Sequence, residues 1–299
     1  MEISITGASG FVAINLQNYL STSFDIVQSS VRFKPNQIFE IYGNALIHLA
    51  GKAHDLRKVS NSNEYYEANF ELTKQLFDSF LQSKATIFIF MSTVKAVSDN
   101  AEGIITEETI PNPKSHYGIS KMQAENYILN QQLPEGKRFY ILRPCMIHGP
   151  GNKGNLNLLF RLVSKNIAWP LAAFENQRSF LSIDNLCYVI QELLNRNDIP
   201  SGIYNLADNE SLSTNELIAL ISKSQKKSPK TIVVPKKIVI FFARIGDFLH
   251  LPLNSERLLK LTESYVVSNE KIVNAIGKPL PFSSEEGFNK TFKSFLNAQ

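Results

Sequence analysis

Cysteine is scarce in this chain of 299 residues. Cys145 and Cys187 form no CxxC pair, and no histidine cluster lies near them in the sequence. Disulfide frameworks and structural zinc sites are built from several closely spaced cysteines, so neither is expected here. Two buried free thiols are the better interpretation. The apolar share of 43% instead predicts an ordinary, full hydrophobic core.

Long hydrophobic runs are missing as well. The longest, Ile238–Ala243, is far shorter than the roughly 20 apolar residues of a membrane-spanning helix. Met1 is not followed by the basic stretch and hydrophobic region of a secretory signal, so we expect a cytoplasmic protein with no membrane contact. A later apolar stripe at helical spacing is expected to belong to the core or to a contact between lobes. This stripe consists of Phe241, Phe242, Ile245, Phe248 and Leu249.

The third absence is a large excess of one charge sign, since the formal net charge is only +4. Lys226-Lys227 and Lys236-Lys237 are isolated pairs, whereas nucleic-acid-binding faces carry larger clusters. We interpret the pairs as solvated surface and expect no nucleic-acid partner.

The first half of the chain alternates short apolar runs with amphipathic stretches. Val12, Leu16 and Leu20, for example, share one helical face. Continuous apolar strands separated by such helices are typical of a parallel sheet covered on both sides, so we predict an α/β, Rossmann-type, doubly wound fold. The predicted strands are Ile3–Thr6, Asp25–Val31, Ala45–Ala50, Thr86–Ser92 and Phe139–Leu142.

The pattern changes after Gly149-Pro150-Gly151, where helical stretches dominate. We predict a dinucleotide-binding domain over residues 1–150 and a smaller, mostly helical substrate-binding lobe over residues 151–299. Tyr204–Ala207 is predicted to return to the main sheet. Two serine–glutamate pairs have capping-box spacing at later helix starts. They are Ser213 with Glu216 and Ser283 with Glu286.

A glycine-rich turn, Thr6–Ala13, follows the first predicted strand and opens the first predicted helix. Glycine allows a tight turn that brings backbone N–H groups close to a pyrophosphate, and the helix N-terminus adds a positive dipole. This context favours dinucleotide binding over a turn that only reverses the chain. The candidate cofactor-binding residues here are Gly7, Ser9, Gly10, Phe11 and Val12.

The choice between NAD and NADP depends on the residues after the second strand. An acidic side chain there would bind the ribose hydroxyls of NAD, but the segment Gln28–Arg32 contains none. Arg32 could instead receive the 2′-phosphate of NADP, or it could be a surface side chain that never meets the ligand.

Tyr117 and Lys121 lie four residues apart, which places them on one face of a helix. A nearby ammonium is expected to lower the pKa of the tyrosine and to make proton transfer possible near neutral pH. Ser92 and Thr93 end a strand at the sheet edge where doubly wound folds bind ligands. These residues predict an oxidoreductase site.

The motifs together resemble the extended short-chain dehydrogenase/reductases, within the sugar-nucleotide epimerase/dehydratase group. They extend over nearly the whole chain, from the glycine turn through Tyr117/Lys121 to the second half. The further marks are Leu49-Ala50-Gly51, Asn69, Ser92-Thr93, Leu142-Arg143-Pro144, His148–Gly151, Arg178–Phe180, Asp184 and Gly202–Asn205.

The resemblance implies a role for each catalytic candidate. Tyr117 would exchange a proton with a sugar hydroxyl while hydride moves between the sugar carbon and the nicotinamide. Thr93 would orient the sugar oxygen, with Ser92 as the second candidate for that role. Lys121 would hold the nicotinamide ribose. The remaining cofactor-binding residues that the resemblance implies are Leu49, Ala50, Gly51, Asn69 and Pro144.

In the second half, Arg178 resembles the diphosphate-binding arginine of the group. Asn155 and Arg257 are weaker candidates for contacts with the nucleotide. Asp184 is a ligand or the cap of a helix. The resemblance also implies a nucleotide-sugar substrate and a homodimer formed by helices of the first half.

One departure from the group narrows the reaction. Thr93 is followed by Val94-Lys95, whereas the 4,6-dehydratases of the group carry Asp-Glu there, so water elimination is set aside. The main hypothesis is a UDP-hexose 4-epimerase acting through a 4-keto species. The alternative is an NADPH-dependent 4-ketoreductase, which Arg32 and the missing acid favour. A non-catalytic dinucleotide sensor and a reductase of small carbonyl compounds are more distant alternatives.

Overall fold

Strands form where the apolar runs predict them. The computed structural model describes residues 1–52, 62–100, 103–152, 154–249 and 254–297. The strands of the main sheet are β1 (Glu2–Thr6), β2 (Asp25–Ser29), β3 (Ala45–His48), β4 (Ile87–Met91), β6 (Arg138–Pro144) and β9 (Gly202–Leu206). Two short parallel pairs join β5 (Ile104–Ile105) to β10 (Val266–Val267) and β7 (Met146–His148) to β8 (Phe180–Ser182).

The main sheet has six parallel strands in the order β2-β1-β3-β4-β6-β9. Its register aligns Thr6 with Ser29 on one side and with His48 on the other, so the carboxyl ends of these strands meet at one edge. This confirms the predicted doubly wound fold. Strand β9 pairs with β6, although it follows the predicted boundary near residue 150. The division into two domains stays a prediction.

Helices cover both faces of the sheet and make up most of the second half. A π-helical turn, Glu67–Glu71, links α2 to α3, and a short 3₁₀ helix spans Val94–Ala96. The α-helices are α1 (Phe11–Leu20), α2 (Asn63–Tyr66), α3 (Leu72–Gln82), α4 (His116–Leu129), α5 (Asn155–Ser164), α6 (Ile183–Asn195), α7 (Thr214–Ser224), α8 (Lys236–Leu249), α9 (Ser255–Thr262), α10 (Glu270–Ile276) and α11 (Ser284–Asn297).

Strand β4 shows how the sheet divides the core. Ile87, Ile89 and Met91 point into one hydrophobic cluster, whereas Phe88 and Phe90 point into the cluster on the opposite face. A third cluster draws its buried residues from positions 156 to 295 and forms the core of the helical half. Both cysteines are free and buried, as predicted.

Two expectations about helix starts are met and one is wrong. Ser213 and Glu216 form a reciprocal capping box, and Ser283 and Glu286 exchange the same hydrogen bonds. Asp184 does not cap α6, because Ser182 accepts the hydrogen bond from the Asn185 N–H. Asp184 lies in the first turn instead, 2.5 Å from Lys290 Nζ.

The expectation for the apolar stripe of α8 is also wrong. Phe241, Phe242, Phe248 and Leu249 are exposed rather than part of the core, and it is Val239 and Ala243 that face the interior. Among the described residues, no helix is long and apolar enough to cross a membrane.

Candidate active site

The glycine turn forms a narrow backbone passage between β1 and α1. Gly7 has a φ of +68°, and a Cβ there would lie 2.8 Å from the backbone nitrogen of Ala50. Only glycine fits this position without displacing the backbone after β3. Helix α1 begins at Phe11, and its N-cap, Gly10, offers no side chain to the first N–H groups. These donors therefore remain available to an anion.

The segment after β3 is held by Asn69 in the π-helical turn. The Asn69 side chain accepts a hydrogen bond from Lys52 N at 2.8 Å and donates to Lys52 O at 3.1 Å and to Ser120 Oγ at 3.1 Å. A Cβ on Gly51 would lie 2.8 Å from Asn69 Oδ1. Asn69 is fully buried, so it shapes the Leu49–Lys52 segment from within. Leu49 and Ala50 are half-buried along this segment.

A buried histidine supports the same edge. His48 Nδ1 lies 2.8 Å from Thr6 Oγ1, and its Nε2 lies 3.0 Å from Thr73 Oγ1. Thr73 donates its own proton to Asn69 O, so it accepts from His48 Nε2–H, and His48 Nδ1 accepts from Thr6. Burial, with a smaller contribution from Lys121, lowers the pKa of His48 to about 3. A neutral His48 therefore joins β1, β3 and the Asn69 turn.

The start of α4, which carries Tyr117, is fixed by a serine and an aspartate. Ser115 Oγ accepts from Gly118 N and donates to Asp99 Oδ1. Asp99 Oδ2 accepts from the backbone N–H groups of Lys114 and Ser115 at 2.7 and 2.9 Å. Burial raises the pKa of Asp99, but these hydrogen bonds outweigh it and hold the pKa below its usual value.

Gly118 sets how closely α4 approaches the end of β4. A Cβ at this position would lie 2.4 Å from the carbonyl oxygen of Lys95 and 2.9 Å from Pro113 Cβ. Glycine is therefore required at position 118 of the motif, because a side chain there would keep α4 from packing this closely. Sequence reasoning missed this role, because the contact joins segments that are not neighbours in the chain.

The two hydroxyls at the end of β4 point to different partners. Ser92 Oγ donates to Glu125, which also receives two hydrogen bonds from Arg143 Nε and one from Nη2. Thr93 Oγ1 accepts from Lys95 N at 3.2 Å, and the Thr93 side chain lies close enough to Tyr117 to lower the pKa of its phenol. Of the two candidates, Thr93 is therefore the one beside Tyr117.

Lys121 is enclosed next to the same strand end. Its Nζ donates to Met91 O at 2.8 Å and lies 4.6 Å from the centroid of the Phe90 ring. Burial lowers the pKa of Lys121 to about 8, although the carboxylate of Glu125 acts in the opposite direction. The ammonium is therefore poised to lose its proton in a mildly alkaline range.

The pKa of Tyr117 differs from the expectation. Burial raises it, the nearby Thr93 hydroxyl lowers it in part, and Tyr65 adds a further rise. The expected lowering by Lys121 is not found, because Lys121 is itself buried and directs its Nζ to Met91 O. Thr93 is the group that favours the phenolate here, since its oxygen accepts from Lys95 N and its proton can be donated to Tyr117.

Arg32 and Pro144 lie at the same sheet edge. Arg32 is exposed and follows β2 three residues beyond Ser29, which is the register partner of Thr6. Pro144 is buried at the end of β6, opposite Leu206. The edge of the sheet therefore brings together residues on both sides of the glycine turn.

The second half contributes Arg178 through a contact with the loop after Thr93. The backbone of Arg178 bridges to Tyr265, whose hydroxyl donates to Ser98 O at 2.6 Å. Lys95 Nζ lies 4.9 Å from the Tyr265 ring. Arg178 itself is half-buried, and its Nη1 donates to Lys260 O.

The two weaker candidates lie on helices of the second half. Asn155 begins α5, and its side chain is outside the described part of the chain. Arg257 is exposed on α9, where its backbone N–H donates to Asn254 Oδ1 at 2.9 Å. Neither is brought to Tyr117 by a contact seen among the described residues.

A dinucleotide fits this edge by two tests. The turn at Gly7 and the segment at Gly51 are both places where a Cβ would fill the passage. The donors at the start of α1 suit a pyrophosphate. The fold, the glycine turn and the Thr93–Tyr117–Lys121 cluster together are typical of a nicotinamide-dependent enzyme of the extended short-chain dehydrogenase/reductase type.

Comparison with known proteins gives the family. The model described as the NAD dependent epimerase/dehydratase family matches residues 34–207, more than half of the chain. The chain belongs to this family, as the resemblance predicted.

Three curated relatives are similar over most of their length. A UDP-glucose 4-epimerase of Vibrio cholerae is 28% identical over 99% of this chain and 96% of its own. An N-acetyl-α-D-glucosaminyl-diphospho-ditrans,octacis-undecaprenol 4-epimerase of Escherichia coli O157:H7 is 24% identical over 100% and 96%. A GDP-6-deoxy-D-mannose reductase of Pseudomonas aeruginosa is 25% identical over 74% and 79%.

Solved structures share the fold along the whole chain. UDP-glucuronic acid 4-epimerase of Bacillus cereus, in complex with NAD, has a TM-score of 0.73 at 17% identity and covers 99% of both chains. RMD of Pseudomonas aeruginosa, complexed with NADPH, has a TM-score of 0.75 at 20% identity, again over 99% of both.

Proposed function

We propose that the chain is an NAD(P)-dependent sugar-nucleotide oxidoreductase that acts through a 4-keto species, and that its reaction is the 4-epimerisation of a UDP-hexose or UDP-N-acetylhexosamine. The observation that carries the proposal is that Thr93 lies beside Tyr117 and lowers the pKa of its phenol, with the buried Lys121 on the same helix as Tyr117. The named activities of the Vibrio and Escherichia relatives support the choice of reaction.

The cofactor would be held mainly by backbone groups. The N–H groups of the glycine turn and of the start of α1 would bind the pyrophosphate, and the segment after β3 would line the cofactor site. When bound, the nicotinamide accepts and returns hydride. The proposed cofactor-binding residues are Gly7, Ser9, Gly10, Phe11, Val12, Arg32, Leu49, Ala50, Gly51, Asn69, Tyr117, Lys121 and Pro144.

Three side chains act on the sugar and the ribose. Once ionised, Tyr117 takes the proton of the sugar hydroxyl at its phenolate oxygen and gives it back on the return step. Thr93 orients the sugar oxygen, and its hydroxyl beside Tyr117 eases the ionisation of that phenol. Lys121 binds the nicotinamide ribose through its ammonium group, which in the structure donates a hydrogen bond to Met91 O.

Arg178 is proposed to bind the diphosphate of the substrate, with Asn155 and Arg257 on the nucleotide side. The cationic pair of Arg178 and Lys95 near the loop after Thr93 supports an anionic ligand there. Val94 is buried, and Lys95 carries no carboxylate, which agrees with a reaction that eliminates no water. The homodimer through helices of the first half stays a prediction.

One specific observation favours the second candidate, an NADPH-dependent 4-ketoreductase. The residues after β2 contain no acid, and Arg32 is exposed beside the strand that leads into the glycine turn. An arginine in this place suits a 2′-phosphate. The Pseudomonas reductase supports this candidate as the Vibrio epimerase supports the first.

A paired assay separates the two candidates. For a 4-epimerase, the purified chain interconverts UDP-hexoses without added cofactor, and NAD is released when the protein is denatured and analysed by mass spectrometry. For a reductase, NADPH is consumed in proportion to a 4-keto sugar nucleotide. Absence of both activities, with UDP- and undecaprenol-diphosphate-linked sugars alike, would contradict the proposal.

Cofactor preference is measured in the same preparation. Replacing Arg32 with alanine should weaken NADPH binding and leave NADH binding unchanged if Arg32 receives the 2′-phosphate. Equal preference before and after the substitution would show that Arg32 takes no part.

A further inference from the structure

Helix α8 has two apolar faces, and only one is used by the fold. Val239, Ala243 and Gly246 recur at helical spacing and are buried, with Val239 and Ala243 in the core of the second half. A second apolar stripe lies on the remaining surface, at the i, i+3, i+4, i+7 spacing of one helical face. It consists of Ile238, Phe241, Phe242, Ile245, Phe248 and Leu249, and we call it the outer stripe of α8.

The outer stripe is open to solvent over most of its area. Phe248 is 84% exposed, Phe241 60% and Phe242 57%. Large aromatic side chains gain little from the fold at such exposure, although burying each would be worth about 2 kcal/mol or more. The strand-like segment before the helix adds Ile232 and Val233, which are also exposed. Large apolar side chains exposed along one helical face mark an interaction site.

The segment that contains the outer stripe carries mostly positive charge. Residues 226–249 contain six Lys or Arg and a single acid, Asp247, so their excess of +5 is larger than the net +4 of the whole chain. Lys237 and Arg244 lie about two helical turns apart and border the outer stripe of α8. No ion pair between these six cations and an acid occurs within the described residues. Asp247 is directed away, since it accepts two hydrogen bonds from Ser255.

We propose that the outer stripe of α8 docks on the surface of an anionic phospholipid bilayer. The helix has 14 residues, too few to cross a bilayer, so it would lie in the interface with the aromatic rings among the acyl chains and the cations at the headgroups. These basic residues supply the charge complementarity, and each Lys or Arg near the membrane surface increases binding about fivefold.

A second copy of the chain fits the outer stripe less well. In a two-fold interface the same patch lies on both sides, so the basic segment would face its own copy. Such a juxtaposition of like charges opposes association. The docking proposal goes beyond the proposed reaction and does not depend on it, because α8 contains none of the proposed catalytic residues.

Vesicle binding tests the proposal with the full chain. The wild-type protein should co-sediment with vesicles of phosphatidylglycerol and phosphatidylcholine, at least tenfold more than with phosphatidylcholine alone, and added salt should reduce the binding. The double variant Phe241→Ser/Phe248→Ser should lose at least tenfold. A matched control, Ile110→Ser, removes an isolated apolar side chain that is 86% exposed and should bind as the wild type does.

A charge variant keeps the test decisive if the serine variant fails to fold. Lys237→Glu/Arg244→Glu changes two exposed side chains and should also lose more than tenfold of the binding, whereas Lys34→Glu should not. Folding is checked by circular dichroism and thermal unfolding. The proposal is overturned if the wild type binds neither kind of vesicle or if no α8 variant weakens binding. It is also overturned if the wild type sediments as a dimer and the serine variant sediments as a monomer.

Discussion

The surroundings of Tyr117 and the surface of α8 follow opposite rules. Near Tyr117, polar groups are buried and paired, as in the bidentate contact of Arg143 with Glu125, where the two side chains are 3% and 1% exposed. On α8, aromatic groups are exposed, and the cations lack acidic partners among the described residues. In ordinary folds, unpaired charge lies outside and large apolar side chains lie inside.

The two regions differ in the interactions that stabilise them. Most buried polar groups of the site region have partners within the chain that hold the catalytic elements in place, although Arg143 Nη1 has none among the described residues. The outer stripe of α8 leaves most of its aromatic area exposed, so that area is available to something else. The two regions should therefore respond differently to substitution.

The largest effect is expected at the phenol oxygen. Tyr117→Phe should lower kcat by about 10²- to 10⁴-fold, because it removes the group that moves the proton, and should leave the content of bound dinucleotide unchanged. Turnover assays and mass spectrometry of released cofactor measure this. Tyr66→Phe is the control, since Tyr66 hydrogen-bonds His116 near the surface. Activity of Tyr117→Phe within tenfold of wild type would refute the mechanism and revive the sensor alternative.

The next effect is on stability. Arg143→Met should lower the free energy of unfolding by about 3–5 kcal/mol, because it leaves Glu125 buried and unpaired. Urea unfolding measures this. In the control, Lys223→Met, the exposed pair with Glu285 is lost at a cost of less than about 1 kcal/mol. Adding Glu125→Leu to Arg143→Met should restore part of the loss, and a failure to do so would argue against a charge effect.

The pH dependence of turnover should report Lys121. Its pKa is lowered from 10.5 to about 8, so its charge is lost as the pH rises through about 8, and kcat should fall there. Because the folded state binds this proton less tightly than the unfolded state, the Lys121 contribution to stability should rise with pH between about 8 and 10.5. Glu125→Gln should move the alkaline limb to lower pH. A limb above pH 10 would show that Lys121 is not the titrating group.

The smallest effect is expected on the outer stripe of α8. Phe248→Ala should change the free energy of unfolding by less than about 0.5 kcal/mol, although it removes a whole aromatic ring. Phe292→Ala, at a fully buried ring, should cost about 3–5 kcal/mol. If the two costs proved equal, the contrast between the regions would be lost.

Features determined by near neighbours in the chain could be predicted from the sequence. The glycine turn, the i, i+4 pair Tyr117/Lys121 and the Ser213 capping box each depend on a few consecutive residues. The strands were recognisable because a doubly covered sheet makes them apolar throughout, as β4 is.

Features that join distant segments could not be predicted. Gly118 is required by the carbonyl of Lys95, and the Ser92–Glu125–Arg143 contact joins β4, α4 and β6. The pKa of Tyr117 depends on burial, which the spacing to Lys121 does not reveal. For α8, periodicity found apolar stripes but could not say which one the fold covers, because that depends on the partner helices.

The contact between Glu125 and Arg143 also has a consequence for the order in which the protein is built. Arg143 follows Glu125 by 18 residues. A ribosome therefore completes α4 before it adds Arg143, the cation that neutralises the Glu125 carboxylate. Docking α4 on the sheet before then would bury an isolated carboxylate, which is strongly unfavourable. The helix that carries Tyr117 and Lys121 should therefore settle only after β6 has been synthesised, which makes the catalytic cluster a late product of co-translational folding.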